Sequence, residues 1–213
     1  MIAYKFLDGQ GRGVFSGFRW TAQPPGTWIE AAGVAICREG VHGCRPADLA
    51  WWVNEDLWEI ELDGDVIEAG RKIAARRGRL RRCIDDWSGG VMAEFAEATI
   101  VRARDAALAV GGGHREMAPL GNSDRVDDIR AAARAALATL EPDSAEHVAA
   151  GLVVDAAHFA TEHICHAPFI SACAAGHAAS ARSGRRDDWR AAFVAERAWQ
   201  SAWISGQLDL PSS

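Results

Sequence analysis

Two groups of histidine, cysteine and carboxylate residues in this 213-residue chain have the types and spacing of metal or acid-base sites. The first group is Cys37, His42 and Cys44, in the order C-x4-H-x-C. Two thiolates and an imidazole are ligands that suit zinc, and Glu39–Gly40 between them is typical of a tight turn. The spacing therefore predicts a site for zinc or another transition metal, with Cys83 as the nearest candidate for a fourth ligand. Small buried cysteines in a β-hairpin are the alternative.

The second group is a stripe along a helix predicted from Ser144 to His166. Asp155, His158, Glu162 and His166 are three or four residues apart, so a helix would place them on one face. A carboxylate three residues before a histidine matches the ligand spacing of metal sites in helical bundles, and such a pair also orients a general base. We therefore expect Asp155 and His158 as metal ligands and His158, Glu162 and His166 as catalytic residues. An exposed face of ion pairs is the alternative.

A third candidate for chemistry is Glu196, a single carboxylate among the apolar positions of another predicted helix. The apolar residues on that face are Trp189, Phe193, Trp199 and Trp203. Burial would raise the pKa of this carboxyl and suit it to acid-base catalysis, whereas an arginine partner would make it a structural ion pair. The sequence leaves both interpretations open.

The segment Arg71–Arg82 has seven basic residues and no acidic one, although the whole chain has a net charge of −6. A guanidinium group matches phosphate oxygens, so this segment predicts a phosphate-bearing ligand or a macromolecular partner, nucleic acid included. The candidate ligands are Arg71, Arg76, Arg77, Arg79 and Arg82. The alternative is a strand whose arginines pair with the acidic residues between Leu57 and Asp65.

The elements that position these residues fall in two halves of different composition, divided near Trp87–Gly90. Residues 1–87 have closely spaced glycine and proline turn signals, and Leu57–Leu62 alternates apolar and acidic residues as a half-buried strand does. Asp63–Gly64 predicts a turn after that strand. We expect a β-rich domain with one short helix, at Pro46–Val53, where proline suits a first helical position. Six of the nine tryptophans lie in this half, where they form a core or line a cleft for a planar ligand.

Residues 91–210 are rich in alanine, and their apolar positions recur every three and four residues, which predicts a bundle of about five helices. The predicted helices are Val91–Val110, Asp124–Leu140, Ser144–His166, Pro168–Ala181 and Asp187–Leu208. The expected fold class is α+β, with a small β-rich N-terminal domain packed on a C-terminal α-helical bundle.

The composition is that of a globular protein, with 49% apolar and 24% charged residues. No stretch approaches the ~18–20 continuous apolar residues of a membrane span, and the N-terminus lacks a signal-peptide pattern. Five scattered cysteines, an odd number, suggest reduced thiols. We therefore expect a cytoplasmic protein with no membrane partner.

Three segments in the first third of the chain resemble a small domain of unknown function that recurs in bacterial and phage proteins. They are Tyr4–Phe6, Cys37–Cys44 and Leu57–Gly64. The central pattern of that family is a cysteine, a short turn that ends in glycine, an aromatic or aliphatic residue, a histidine, a small residue and a cysteine. Here Val41 and Gly43 fill the two variable positions. The resemblance implies a domain boundary and no particular activity.

These observations support two main hypotheses of function. The first is a non-catalytic binding protein that recognises a phosphate-bearing ligand or partner through Arg71–Arg82. The second is an enzyme that uses the His158, Glu162 and His166 stripe as a metal or general-base site, which must then line a concave pocket. A structural component that associates with itself through an apolar patch is a third possibility.

Overall fold

A computed structural model describes residues 1–14, 16–111 and 113–211 of the chain. Two compact units are present: Met1–Met92 together with the chain from Ser201 onward, and Ala93–Gln200. The first unit contains an antiparallel sheet and the second contains helices, which confirms the α+β class. The first boundary lies beside the predicted division at 87–91. However, the end of the chain, predicted as part of the bundle, groups with the first unit.

The first unit is built on five antiparallel strands. They are β1 (Ile2–Leu7), β2 (Ile29–Glu30), β3 (Val41–Gly43), β4 (Asp56–Ala69) and β5 (Lys72–Cys83). Strand β4 pairs with β1 on one side and with β5 on the other, and the short strands β2 and β3 follow each other along the far edge of β5. A 3-10 helix at Pro46–Trp51 confirms the short helix predicted for this half.

Strand β4 contains the predicted strand Leu57–Leu62 but does not turn at Asp63–Gly64. It continues to Ala69, and the pairing with β5 is irregular between Asp63 and Val66. Gly64 has a φ of +80° there, a left-handed conformation that glycine adopts readily. The glycine thus permits a β-bulge within a long strand instead of ending it, and the prediction of a turn was wrong.

The sheet curls back on itself, because Tyr4 of β1 and Cys44, directly after β3, form a two-hydrogen-bond bridge of 2.9 and 2.8 Å. Side chains inside this curl form the core of the unit, with Ile60, Leu62 and Ala75 fully buried. The bridge brings the middle of β1 beside the loop that leads into β3. The two segments therefore line the same cleft, described below.

The second unit contains the predicted helices, with shifted ends. They are α1 (Met92–Gly111), α2 (Val126–Leu137), α3 (Ala145–Glu162), α4 (Ala167–Ser183) and α5 (Arg186–Gln207), of which α5 continues into the first unit. A single π-helical turn, Trp87–Val91, precedes α1. Small side chains such as Ala103, Ala133 and Ala157 fill much of the core, so the helices approach closely. No helix in the described part of the chain has an apolar stretch long enough to cross a membrane.

Helix α3 ends at Glu162, four residues before the predicted end. His163 has a φ of −147° and a ψ of 87°, which is not helical, and its amide donates to the Phe159 carbonyl as the last helical bond. His166 instead precedes the first residue of α4. The prediction that His166 shares a helix face with Asp155 and His158 was therefore wrong.

Candidate functional site

The arginines of the basic segment lie on β5, except Arg71, which precedes it, and β5 pairs with the acidic strand β4. The cross-strand ion pairs are Arg77–Asp63, Arg79–Glu61 and Arg82–Glu59. The guanidinium groups of Arg77 and Arg79 also lie over the Trp28 ring, 4.7 and 4.5 Å from its centre. The positive charges of Arg77, Arg79 and Arg82, which the sequence predicts as phosphate ligands, are thus neutralised by neighbouring carboxylates. This agrees with the alternative prediction of a strand with ion-paired arginines.

The two other candidate arginines are also engaged within the first unit. The Arg71 guanidinium lies 3.7 Å from the centre of the Trp51 ring. Arg76 donates a hydrogen bond to the Ala32 carbonyl. Contacts to a bound phosphate would have to replace these interactions or add to them, so the contacts of β5 do not favour it as a phosphate site.

The histidine and carboxylate stripe of α3 lies on an exposed surface. His158 and Glu162 form an i,i+4 pair, with Nε2 and Oε2 3.5 Å apart and side chains 47% and 57% exposed. Asp155 and His166 are exposed as well. The ring of His166 contacts those of Phe159 and His163, at centroid distances of 5.1 and 5.5 Å. None of these residues lines the cleft described below.

Glu196 is buried, with a side chain 4% exposed, and is paired with Arg102. Arg102 Nε donates to both carboxylate oxygens at 2.7 and 2.8 Å, and Nη2 adds a bond of 2.6 Å. Gln200 Nε2 and Ser171 Oγ complete the shell, each 3.4 Å from Oε1. The carboxylate is thus fully occupied by partners within the second unit, which favours the structural ion pair over catalysis.

The predicted metal ligands do not converge. Across residues 1–14, 16–111 and 113–211, no three side chains of the histidine, cysteine, aspartate and glutamate types are close enough to hold a metal ion. Cys37 and His42 are close, but it is the Cys37 amide that donates to His42 Nε2, at 3.3 Å. Neither the Cys37–His42–Cys44 set nor the Asp155–His158 pair forms a metal site in this geometry.

Cys37, His42 and Cys44 do line one cleft, with a volume of about 700 Å³. The cleft is lined by the middle of β1, by Gly13 and Val14 in the segment after it, by the loop that leads to β3, and by Trp52. Lys5 on β1 and Lys72 on β5 bring two amino groups into the same space. A cleft of this size suits a small-molecule ligand.

Lys5 is partly buried. Its Nζ donates to the His42 carbonyl at 2.9 Å and lies 5.0 Å from the centre of the Trp20 ring. Burial lowers the pKa of this amine to about 8, an effect that the nearby Lys72 increases. Among the described residues, no carboxylate forms an ion pair with Lys5, in contrast to Arg77, Arg79 and Arg82 of β5.

Lys72 is the second lysine that lines the cleft. Its Nζ donates a hydrogen bond to Cys37 Sγ at 3.2 Å and lies 4.5 Å from the centre of the Trp52 ring. Cys37 is exposed, so its sulfur faces the space that a ligand would occupy. An ammonium group and a thiol are thus held side by side at the entrance.

Cys37 occupies an unusual backbone conformation in a tight turn. The Arg38 amide donates to the Ala35 carbonyl at 3.1 Å, which closes a four-residue turn with Cys37 in the third position. Its φ is +63°, in the left-handed region that normally takes glycine or asparagine in such a turn. His42 supports this turn, because its Nε2 accepts the Cys37 N–H and its proton must therefore be on Nδ1.

His42 and Cys44 have roles that differ from that of a metal ligand. Burial lowers the pKa of His42, and the positive charges of Lys5 and Lys72 lower it further, so the imidazole is neutral near pH 7. Burial also raises the pKa of the Cys44 thiol, which stays protonated beside Lys5. The two residues form the inner wall of the cleft.

The spacing of Cys37, His42 and Cys44 thus singled out three residues that line one cleft, without the convergence of ligands that a metal site needs. Sequence reasoning missed Lys5 and Lys72, which are far apart in the chain and belong to no motif. One signal was present for Lys5, a charged residue between two apolar ones in a short strand at Tyr4–Phe6. For Lys72 no signal separated it from the arginines that follow.

Comparisons with family models, curated proteins and solved structures find no match to this chain.

Proposed function

We propose that the first unit binds a small phosphate-bearing molecule in the cleft between β1 and the loop that leads to β3. The observation that carries this proposal is Lys5, a partly buried ammonium group with no carboxylate partner among the described residues. A buried charge without a counter-ion is costly, and a bound anion would supply the missing partner.

The second ammonium group strengthens the case for an anion. Lys72 lines the same cleft, and its charge is close enough to lower the pKa of Lys5. An anion between the two amines would turn this repulsion into two attractive interactions, which are stronger in a partly desolvated site than in water. Lysine is a common phosphate ligand in proteins, so phosphate is the anion we favour.

The shape of the site favours a small molecule over a nucleic acid. A nucleic-acid backbone needs a row of unpaired cations along an open surface. The row of cations on β5 is instead paired with Glu59, Glu61 and Asp63. The two lysines lie in a cleft of about 700 Å³, within the range of small-ligand sites.

Isothermal titration of the full chain with inorganic phosphate, sulfate and acetate tests this proposal. We expect phosphate and sulfate to bind, and Lys5→Met to weaken both on the order of tenfold, because it removes a charge but keeps most of the stem. Arg79→Met is the matched control, since Arg79 is already paired with Glu61, and should change the affinity less than about twofold.

Three results would overturn the proposal. One is the absence of phosphate binding by the native chain. Another is a loss of affinity in Arg79→Met but not in Lys5→Met, which would place the anion on β5. The third is equal affinity for acetate and phosphate, which would show that the cleft does not prefer phosphate over a carboxylate.

We further propose that the protein acts in the cytoplasm of a bacterium or of a phage-infected cell. All five cysteines are free thiols, which suits a reducing compartment. The origin follows from the resemblance of Tyr4–Phe6, Cys37–Cys44 and Leu57–Gly64 to the bacterial and phage domain. Two of these three segments contribute residues to the cleft.

A further inference from the structure

We propose that Cys37 is a nucleophile that adds reversibly to the carbonyl carbon of a small phosphorylated aldehyde bound in the cleft. The inference rests on the proposed function, because the two lysines would hold the phosphate beside the thiol. It goes beyond that function by assigning a covalent step to a named side chain.

Position and access distinguish Cys37 from the other cysteines. It is exposed and lines the cleft, whereas Cys44 is buried. Burial and the neighbouring Asp85 raise the pKa of Cys83 to about 11, and burial raises the pKa of Cys173. Thiols that resist ionisation are poor nucleophiles, so the structure favours Cys37 over Cys44, Cys83 and Cys173 as the reactive thiol.

The neighbours of Cys37 suit addition to a carbonyl group. Lys72 Nζ donates to Cys37 Sγ at 3.2 Å, and a hydrogen bond from an ammonium group stabilises negative charge on sulfur. When the sulfur attacks a carbonyl carbon, negative charge develops on the oxygen bonded to that carbon. The same ammonium group is then within reach of that oxygen and stabilises the charge.

The turn around Cys37 holds the sulfur in place at a cost in backbone energy. A non-glycine residue with a φ of +63° is unfavourable, and such conformations are concentrated at functional sites. Two contacts maintain it, the bond from the Cys37 amide to His42 Nε2 and the bond from Lys72 to the thiol. His42 is thus a positioning residue for the nucleophile.

The proposed step is balanced without an oxidant or a leaving group. Cys37 Sγ forms a bond to the aldehyde carbon, and the π electron pair of the carbonyl group moves to its oxygen. The thiol proton ends on that oxygen, directly or through the Lys72 amine, and gives a thiohemiacetal. The reverse sequence releases the aldehyde.

Two matched ligands separate covalent addition from simple binding. Glyceraldehyde 3-phosphate has an aldehyde where glycerol 3-phosphate has an alcohol, and both have one phosphate. The rate of Cys37 alkylation by iodoacetamide, followed by peptide mass spectrometry, is measured with each ligand at the same concentration. We expect the aldehyde to protect Cys37 on the order of tenfold more than the alcohol, with the Cys83 peptide unaffected as an internal control.

A direct readout uses the aldehyde labelled with carbon-13 at the carbonyl carbon. The native chain should give a thiohemiacetal resonance, and Cys37→Ala should lose it while it still binds glycerol 3-phosphate. Cys37→Gly serves as a second variant, since glycine suits the left-handed turn and the protein should be at least as stable as Cys37→Ala. His42→Gln should reduce the adduct by a larger factor than it reduces the affinity for glycerol 3-phosphate, because it removes the acceptor that holds the Cys37 turn.

The outcomes distinguish this inference from the proposed function. Equal protection by the two ligands, with no thiohemiacetal resonance, would overturn the covalent step and leave phosphate binding intact. No protection and no binding of either ligand would overturn both. A resonance that persists in Cys37→Ala would assign the adduct to another nucleophile and overturn the role of Cys37.

Discussion

At the scale of single residues, Lys5 differs from the ion-paired arginines of β5 in having no carboxylate partner among the described residues. Each cross-strand arginine of β5 has a carboxylate partner, whereas the Lys5 ammonium group is bonded to the carbonyl of His42. A carbonyl offsets only part of the cost of removing a charge from water. A bound anion would offset the remaining cost, which favours anion binding beside Lys5.

The lowered pKa of Lys5 predicts how stability depends on pH. The folded state binds the Lys5 proton less tightly than the unfolded state, with a pKa of about 8 against 10.5. Between these values the unfolded chain binds more protons, so the free energy of unfolding rises with pH. Relative to Lys5→Met, the native chain should gain on the order of 1–3 kcal/mol between pH 8 and pH 10.5.

Urea denaturation of both proteins across that pH range measures the difference directly. Other groups that ionise there, such as Tyr4 and the thiols, are common to the two proteins. A difference that stays constant from pH 7 to 10.5 would show that Lys5 is not desolvated.

In parallel, sulfate affinity should fall as the pH rises through about 8, because sulfate keeps its charge while Lys5 loses its own.

The residues of the cleft show what sequence can predict at this scale. The spacing of Cys37, His42 and Cys44 indicated that these side chains meet, because a short turn limits how far apart they can be. It could not indicate that an amide, not a thiol, faces the histidine. This arrangement depends on the left-handed φ of Cys37. Sequence patterns predict that conformation at a glycine, not at a cysteine.

At the scale of elements, α4 and α5 meet in the second unit through a glycine and a tryptophan. A Cβ added at Gly176 of α4 would lie only 2.8–2.9 Å from ring atoms of Trp189 on α5. The Trp189 ring is also stacked on Phe193, with 5.1 Å between the ring centres, which limits where it can move. The glycine is required by close packing, not by its backbone freedom.

Gly176→Ala should therefore destabilise the protein although alanine is the better helix former. We expect a loss of about 1–3 kcal/mol from overpacking, beyond the roughly 1 kcal/mol gained in helix propensity. Gly151→Ala on α3 is the matched control, since its nearest neighbour is Leu137 at 3.8 Å. That substitution should stabilise the protein by up to about 1 kcal/mol. Thermal unfolding monitored by circular dichroism compares the two, and equal effects would refute the packing argument.

The helices were easier to predict than the strands, for a physical reason. An alanine-rich segment with apolar residues every three or four positions has few alternatives to a helix, so five were predicted and five are found in the described second half. Strand β4 was cut short in the prediction because Asp63–Gly64 is a common turn pair. Only its partner β5, whose pairing extends from Trp58–Cys83 to Ala69–Lys72, shows that the strand continues through a bulge.

At the scale of the whole molecule, the first unit is assembled from both ends of the described chain. The last turns of α5 belong to it, and they contact the 3-10 helix at Pro46–Trp51. The Ala50 amide donates to Ser201 Oγ at 3.0 Å, and Ser205 Oγ donates to the Pro46 carbonyl at 3.3 Å. The sequence alone could not reveal this, because the helix α5 continues through Ser201 without a break.

Ile204, which is fully buried, tests how far the first unit depends on this segment. Ile204→Ala should lower the free energy of unfolding by about 2–5 kcal/mol, through lost burial and a residual cavity. Val194→Ala, at an exposed position of the same helix, should change it by less than about 0.5 kcal/mol. Hydrogen exchange resolved by peptide should show lost protection in β4 and β5; unchanged exchange there would contradict a structural role for the segment in this unit.

The order in which the ribosome delivers the chain gives the discontinuous first unit a further consequence. Its sheet emerges first, but the segment that completes it follows only after the 108 residues of Ala93–Gln200. At a synthesis rate of roughly 5–20 residues per second, the segment from Ser201 onward is made about 5–20 s after the sheet. During that interval the two lysines and Cys37 are already synthesised on an incomplete framework. We therefore expect nascent chains to pass through a stage in which the surface of the incomplete first unit is accessible to chaperones.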